Sequence, residues 1–427
     1  MVNTKAQEAV QKSLDGVTGD KSTGVAGLVF VAVDRQGKQI AAHASGKKGL
    51  TSSEPMTLET VFWIASCTKL LATMACMQAV EKGQLALDDH EQVYKLCPEL
   101  EKIKVLQDDG TLTERKNDIT LRMLLAHTAG FGYEFFNPKL RDYGRPLGFD
   151  VFHADERDIF RMPLVNQPGE KWEYGINIDW AGIVLERATG VKLNDWIQKE
   201  IMQPLGLKSV NMFPTAEMKK ELAYMHQRWP GSTQAEERDH MYREPLLAET
   251  EEEKKRIFHS GGAGGFAKPT EYCQVLAALL NDGKSPTTGA QILKPETVKA
   301  MFENQVPKMP DFARQGIPAA KAEQTNPAPE LYPQEGNPPQ GWGLSFMLTQ
   351  EPGATGRGAN TAWWAGIANL FWWCDREKGV AGMICSQIMP FGDPHVMGQW
   401  GACEAAVYQA LGSSDGGLSD KVASAKV

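Results

Sequence analysis

The strands of this chain stand at its two ends, and that placement limits what it can fold into. Val25-Ala-Gly-Leu-Val-Phe-Val-Ala-Val33 is a continuous apolar run, as a buried strand requires, and the turn Asp34-Arg-Gln-Gly37 leads into the return arm Lys38-Gln-Ile-Ala-Ala-His-Ala-Ser45. Comparable runs return near the far end: Gly341-Trp-Gly-Leu-Ser-Phe-Met-Leu348, Asn369-Leu-Phe-Trp-Trp-Cys374 and Gly379-Val-Ala-Gly-Met-Ile-Cys-Ser-Gln387. Between them, from 85 to about 250, the pattern is helical and broken by Pro and Gly. The two ends therefore pair in one antiparallel sheet, flanked by a short helix of low amphipathicity over 4–14 and a closing helix over 395–411. The predicted fold is α/β (α+β): a sheet domain from 1–84 and 255–411, an inserted, mostly helical lobe over 85–254, and a disordered tail over 412–427. A site belongs in the cleft between sheet and lobe.

One stretch is suited to face that cleft. Val61-Phe-Trp-Ile-Ala-Ser66-Cys-Thr-Lys69-Leu-Leu-Ala-Thr-Met-Ala-Cys-Met-Gln-Ala-Val-Glu-Lys-Gly83 reads as an apolar strand or turn entering a helix that ends at Gly83. Side chains three apart on a helix are neighbours, so Lys69 can reach the Ser66 hydroxyl. The helix start favours an oxyanion at Ser66 and a lysine that yields its proton. Burial among Leu70, Leu71, Met74 and Met77 acts the same way, because desolvation disfavours the ammonium. The tetrapeptide alone is a weak signal, since Ser66 equally fits an N-cap serine with an exposed lysine one turn on. Ser45-Gly-Lys-Lys48 repeats the spacing in a Gly/Lys-rich turn with no helix behind it, and reads as a surface loop.

Composition narrows the function classes. The 427 residues carry a net charge of −8 without a Lys/Arg stripe, so neither nucleic acid nor an acidic membrane surface is an expected partner. The seven cysteines are scattered without a C-x-x-C pair and read as reduced core residues. With no apolar leader at the N-terminus and no stretch able to span a bilayer, the expected setting is cytoplasmic. The eight histidines show no H-E-x-x-H or similar spacing, and no metal or cofactor is expected. Ser260-Gly-Gly-Ala-Gly-Gly265 matches neither nucleotide-binding glycine pattern and reads as backbone passing close to a pocket. A G-x-S-x-G elbow, which an α/β-hydrolase needs, is missing. The Pro/Gln/Ala-rich stretch 304–339 reads as a surface excursion or lid.

Four segments together resemble the serine β-lactamase/penicillin-binding-protein superfamily, in its class C-like esterase branch that includes the fungal lovastatin-type acyltransferases. They are Ser66-Cys-Thr-Lys69-Leu-Leu, Leu124-Leu-Ala-His-Thr-Ala-Gly130 with Tyr133-Glu-Phe-Phe-Asn-Pro138, Trp172-Glu-Tyr-Gly-Ile-Asn-Ile-Asp-Trp-Ala-Gly182, and Trp363-Trp-Ala-Gly-Ile367. The third is the most specific, matching the acyltransferase pattern Tyr-Gly-x-Asn-x-Asp-Trp-Ala-Gly without a gap.

The resemblance implies Ser66 as nucleophile, Lys69 as its partner, and Tyr174 as general base and acid, with its phenol held near ionisation by Lys69. It implies Tyr133, Trp364, Gly366 and Ile367 as substrate-binding, an oxyanion hole on the N–H groups of Ser66 and Ile367, and a structural His127. Where the β-lactamases carry Lys-Thr-Gly this chain has Trp364-Ala365-Gly366, so a substrate carboxylate loses its cation there and a neutral ester is favoured. The expected function is transfer of an acyl group through acyl-Ser66 from an ester or thioester to an alcohol, with small-molecule donor and acceptor or an acyl-carrier protein as donor. Hydrolysis of neutral short-chain esters by the same route is the alternative. A β-lactamase or a non-catalytic binding protein fits less well.

Overall fold

The computed structural model describes residues 3–331 and 333–423, with 413–423 described by backbone alone. Its central sheet runs in the order Gln340–Trp342, Met347–Thr349, Thr361–Gly366, Leu370–Asp375, Val380–Cys385, Gly27–Asp34, Gln39–Gly46. Every neighbouring pair is antiparallel. The chain ends meet where Gly27–Asp34 lies along Val380–Cys385, with Val29 opposite Cys385 and Asp34 opposite Val380. Leu370–Asp375 and Val380–Cys385 are buried at every position, as strands covered on both faces must be.

The first helix, Thr4–Gly19, is longer than its sequence pattern predicted and buries Ala6, Val10, Leu14 and Val17. Those positions are three to four apart and form one stripe, packed on Gln39–Gly46 and against the last helix, Pro394–Ala423. Full burial of Val10 or Leu14 contributes about 1.5–3 kcal/mol each. Pro269–Leu280 lies across the middle of the sheet. Of the tail expected to lack structure, 424–427 lies outside the described residues.

One predicted strand is corrected. Residues 341–348 form two arms of a hairpin, with Gln340 opposite Thr349 and Trp342 opposite Met347. Ser345 takes a left-handed backbone at φ 72°, a conformation its side chain does not announce. The stretch 304–339 forms a strap over the cleft. Phe312 and Ala313 are buried, Ile317 pairs with Ala328, and Thr325 pairs with Phe391. The strap is pinned where Ala320 N–H donates to Phe135 O at 3.0 Å and Lys321 Nζ meets Glu134 at 3.0 Å.

All seven cysteines are buried and unpaired. Among the described residues no helix is long and apolar enough to cross a membrane, and no group of His, Cys, Asp or Glu is placed to hold a metal ion.

Candidate active site

Ser66 sits in the two-residue joint between the strand Phe62–Ala65 and the helix Thr68–Glu81. The joint is sharp because Ala65 adopts φ 43°, which is uncommon for a residue with a Cβ and puts strain at this corner. Three side chains hold it. Gln387 donates to Trp63 O and accepts from Trp63 N–H at 2.9 and 3.1 Å, Tyr272 OH donates to Cys67 O at 2.8 Å, and Thr68 Oγ1 accepts from Gly265 N–H at 2.8 Å. The serine is thereby presented to the cleft with its backbone N–H at a helix start.

Lys69 is fully buried, and its amine donates to Ser66 Oγ at 3.2 Å, to Tyr133 OH at 3.0 Å and to Gly262 O at 2.9 Å. Burial pushes the amine down to about 7, opposed by the negative charge of Asp179. A lysine in this state exchanges its proton near neutral pH.

Tyr174 lies across Ser66 from Lys69. Its hydroxyl accepts from Trp364 Nε1 at 2.9 Å and lies near enough to Ser66 for that side chain to favour its ionisation, while the lysine amine sits 4.7 Å from its ring centre. Lys69 thus hydrogen-bonds the hydroxyl of Tyr133 and meets Tyr174 through its ring face. The expectation of a Tyr174 phenol near ionisation is corrected here: burial drives it upward, and its hydrogen bonds to Ser66 and Trp364 only partly offset that. At rest Tyr174 is a neutral phenol, and the group poised to accept a proton is Lys69.

The loop and helix behind these groups are tied by their own motif. Asn177 opens the helix Asn177–Thr189, and its amide donates to Phe131 O at 3.2 Å and to Glu173 O at 3.3 Å. The same amide lies 3.0 Å from His127 Nδ1, which also accepts from Gly175 N–H at 3.3 Å. Two donors on one ring nitrogen fix the tautomer with the proton on Nε2. Burial holds His127 far below its usual range, so it is a neutral brace, as the structural role assigned to it requires.

The sequence profile of the Beta-lactamase family matches residues 7–402. The chain belongs to the beta-lactamase family. It is 31% identical over 406 residues to monacolin J acid methylbutanoyltransferase of Aspergillus terreus, covering 91% of this chain and 92% of that one. It is 32% identical over 377 residues to lovastatin esterase of Penicillium rubens, covering 84% and 87%. Unliganded simvastatin synthase from Aspergillus terreus superposes with a TM-score of 0.76 at 26% identity, over 94% of this chain and 98% of that one. The chain is thus an enzyme of the serine acyltransferase and esterase branch of the beta-lactamase family.

Within this beta-lactamase-family site, Ser66 and Tyr174 open onto a cavity of about 520 Å³. Phe135, Phe136, Trp363, Trp364, Phe371 and Trp400 supply much of its wall, and the strap adds Ile317, Leu331 and several prolines. Trp364, Gly366 and Ile367 are among its lining residues. Trp364 does more, because its indole N–H is spent on the Tyr174 hydroxyl. A Cβ on Gly366 would lie 2.6 Å from Ile64 O, so only glycine lets this strand end abut the strand that leads into Ser66. Tyr133 is not among the lining residues. It stands behind Lys69, buried, and its phenol is held far above the usual range by burial.

Sequence reasoning missed three parts of the site. Arg357 and Glu404 form a buried bidentate pair at 2.6 and 2.7 Å in the cavity wall, with the guanidinium against the rings of both Trp363 and Trp400. The carbonyl of Gly262 and the carboxylate of Asp179 behind Lys69 were visible only as members of motifs read for other reasons.

Proposed function

We propose that this enzyme transfers an acyl group from an ester or thioester to an alcohol through an ester on Ser66. The reading rests on the row Trp364, Tyr174, Ser66, Lys69, Tyr133, whose first three members line an apolar cavity. In acylation Ser66 Oγ bonds to the acyl carbon as its proton passes to Lys69, and the bond to the leaving group breaks as Tyr174 gives that group its proton. The acyl-enzyme then holds a lysinium beneath a phenolate, the latter also receiving the Trp364 N–H. The acceptor alcohol loses its proton to Tyr174, its oxygen bonds to the acyl carbon, and Ser66 departs with the proton from Lys69. The N–H groups of Ser66 and Ile367, two residues that line the cavity, stabilise the tetrahedral oxyanion.

In this proposal the site lies between a sheet domain of 1–84 and 255–411 and a lobe of 85–254. Ser66, Lys69 and Tyr174 are the catalytic residues, Trp364, Gly366 and Ile367 touch substrate, and Tyr133 positions Lys69. The acyl group enters as a neutral, apolar substituent. Its carrier is a small thioester or ester, with an acyl-carrier protein as a second donor to be tested. A role in secondary metabolism is supported by the fungal relatives named monacolin J acid methylbutanoyltransferase and lovastatin esterase.

Hydrolysis is the second reading, because a relative of nearly equal similarity is named an esterase. Water and an alcohol meet the same acyl-enzyme, and the partition depends on how well the cavity excludes water and seats the acceptor. Mass spectrometry of products from a butyryl thioester, with and without candidate alcohols, tests the proposal. Transfer is expected to yield the new ester in excess over free butyrate at millimolar alcohol; free acid alone under every condition assigns hydrolysis instead.

A further inference from the structure

The Gly-rich turn after Ser260 has no part in the reaction as written, yet it delivers the carbonyl on which Lys69 rests. Gly262 O accepts from Lys69 Nζ at 2.9 Å, while Gly262 N–H donates to Asp179 Oδ1 at 3.0 Å. Ser260 Oγ donates to the same carboxylate oxygen at 2.6 Å and accepts from Ala263 N–H at 2.9 Å. Asp179 therefore grips both sides of the turn. A Cβ on Gly262 would collide with that carboxylate, so the glycine permits the approach. Asp179 is 2% exposed, and a buried carboxylate is tolerated only with donors and a countercharge.

Resting on the Ser66/Lys69 reading above, we propose that Asp179 is a positioning residue: through Ser260 and the Gly262 peptide it fixes the carbonyl that aims Lys69 at Ser66, and it supplies the buried countercharge to that amine. The surrounding titratable groups leave this pair as the local source of charge. Cys67 on the same turn, Tyr133 from the loop after the helix Leu121–Leu125, Tyr174 ahead of the helix of Asp179, and Tyr242 are all raised by burial and stay neutral. His127 is lowered and neutral too, and Glu134 beyond Tyr133 is engaged by Lys321. Burial raises the Asp179 carboxyl as well, but Lys69, the Ser260 hydroxyl and the Gly262 N–H all oppose that and favour its charged form; that charge in turn works against the desolvation of Lys69 and keeps the amine more basic.

The two contributions separate by substitution. Asp179→Asn keeps an oxygen for Ser260 and Gly262 but removes the charge. Its kcat/KM profile for p-nitrophenyl butyrate is expected to shift the acid limb down by about 1 pH unit or more, with a lower plateau. Ser260→Ala disturbs the turn but keeps the charge, and is expected to lower kcat by roughly tenfold with KM and the acid limb unchanged. A merely structural Asp179 would change Tm without moving the limb. Fluorophosphonate labelling of Ser66 in the wild type, with Ser66→Ala as control, reports on the underlying mechanism independently. Label on Ser66 together with an unmoved limb in Asp179→Asn overturns this inference alone; no label on Ser66, or full activity of Ser66→Ala, overturns the mechanism itself. If Asp179→Asn does not fold, Ser260→Ala decides: wild-type kcat there overturns the inference.

Discussion

The two halves of the molecule that meet at Ser66 are built by opposite means. Behind the serine, Tyr133, Lys69, Gly262, Asp179 and Ser260 are joined in one buried run of hydrogen bonds, and Asn177 ties the adjoining loop through its backbone, so a shift in one member is passed to its neighbours. In front of it the wall is mostly apolar side chains, part of them on a strap whose described residues form only the 3₁₀ turn Phe312–Arg314 and isolated bridges. Hydrogen bonds fix geometry, whereas apolar contacts exchange volume for volume. The rear half should therefore lose activity steeply on substitution, and the front half should change its choice of substrate.

The largest effect expected is at the junction of the two halves. Ser66→Ala should lower kcat/KM for p-nitrophenyl butyrate by ~10⁴ or more and abolish phosphonate labelling; peptide mapping that finds the label on Ser45 or Ser260 breaks the assignment. Tyr174→Phe, which removes one hydroxyl from the row, should cost ~10². Tyr133→Phe should cost less, since Lys69 keeps Gly262 O, and a reversed order would exchange the two tyrosines' roles. On the front half, nitrocefin should be turned over at least ten- to a hundredfold less efficiently than the ester, the equivalent of a lost charge-assisted contact of about 1.5–3 kcal/mol. A nitrocefin kcat/KM at or above the ester value would show that another cation receives the carboxylate. Ile317→Ala and Leu331→Ala on the strap should shift the ratio of octanoate to butyrate turnover by roughly fivefold, about 1 kcal/mol of apolar contact, with little change in the acid limb.

The smallest effect is in stability. Folding lowers the Lys69 pKa to about 7, so between that value and its unfolded range the unfolded chain binds more protons. Wild-type stability from this group therefore rises with pH through that window. Lys69→Met lacks the term. Its Tm relative to wild type should be most favourable at or below pH 7 and decline towards pH 10; a difference independent of pH would mean the amine is not buried as described.

The same contrast explains what could be read in the sequence. Ser66 and Lys69 are joined by helix spacing, and the meeting of the chain ends follows from where the apolar runs stand, so both were legible. Trp364 and Tyr174 are 190 positions apart, and nothing local tells an indole that faces substrate from one that donates to a phenol. For Tyr133, substrate binding is implied by the resemblance alone; here Phe135 and Phe136 line the cavity, while the Tyr133 hydroxyl accepts from Lys69, a contact 64 positions apart that no local pattern announces. The hairpin inside 341–348 was hidden by an alternating pattern that either arrangement satisfies.

The indole donor at Trp364 has a consequence for how the enzyme meets its solution. A lysine at that position would project a field well beyond the site, draw anions towards it, and respond to the ions of the buffer. An N–H dipole acts only at contact, and the Arg357 charge in the wall is matched by Glu404. Over distances beyond the ~8 Å Debye length of physiological salt the cavity mouth should exert little pull on a charged molecule. Encounter then depends on the apolar surface of the substrate, and turnover of neutral esters should be nearly flat across a wide range of ionic strength.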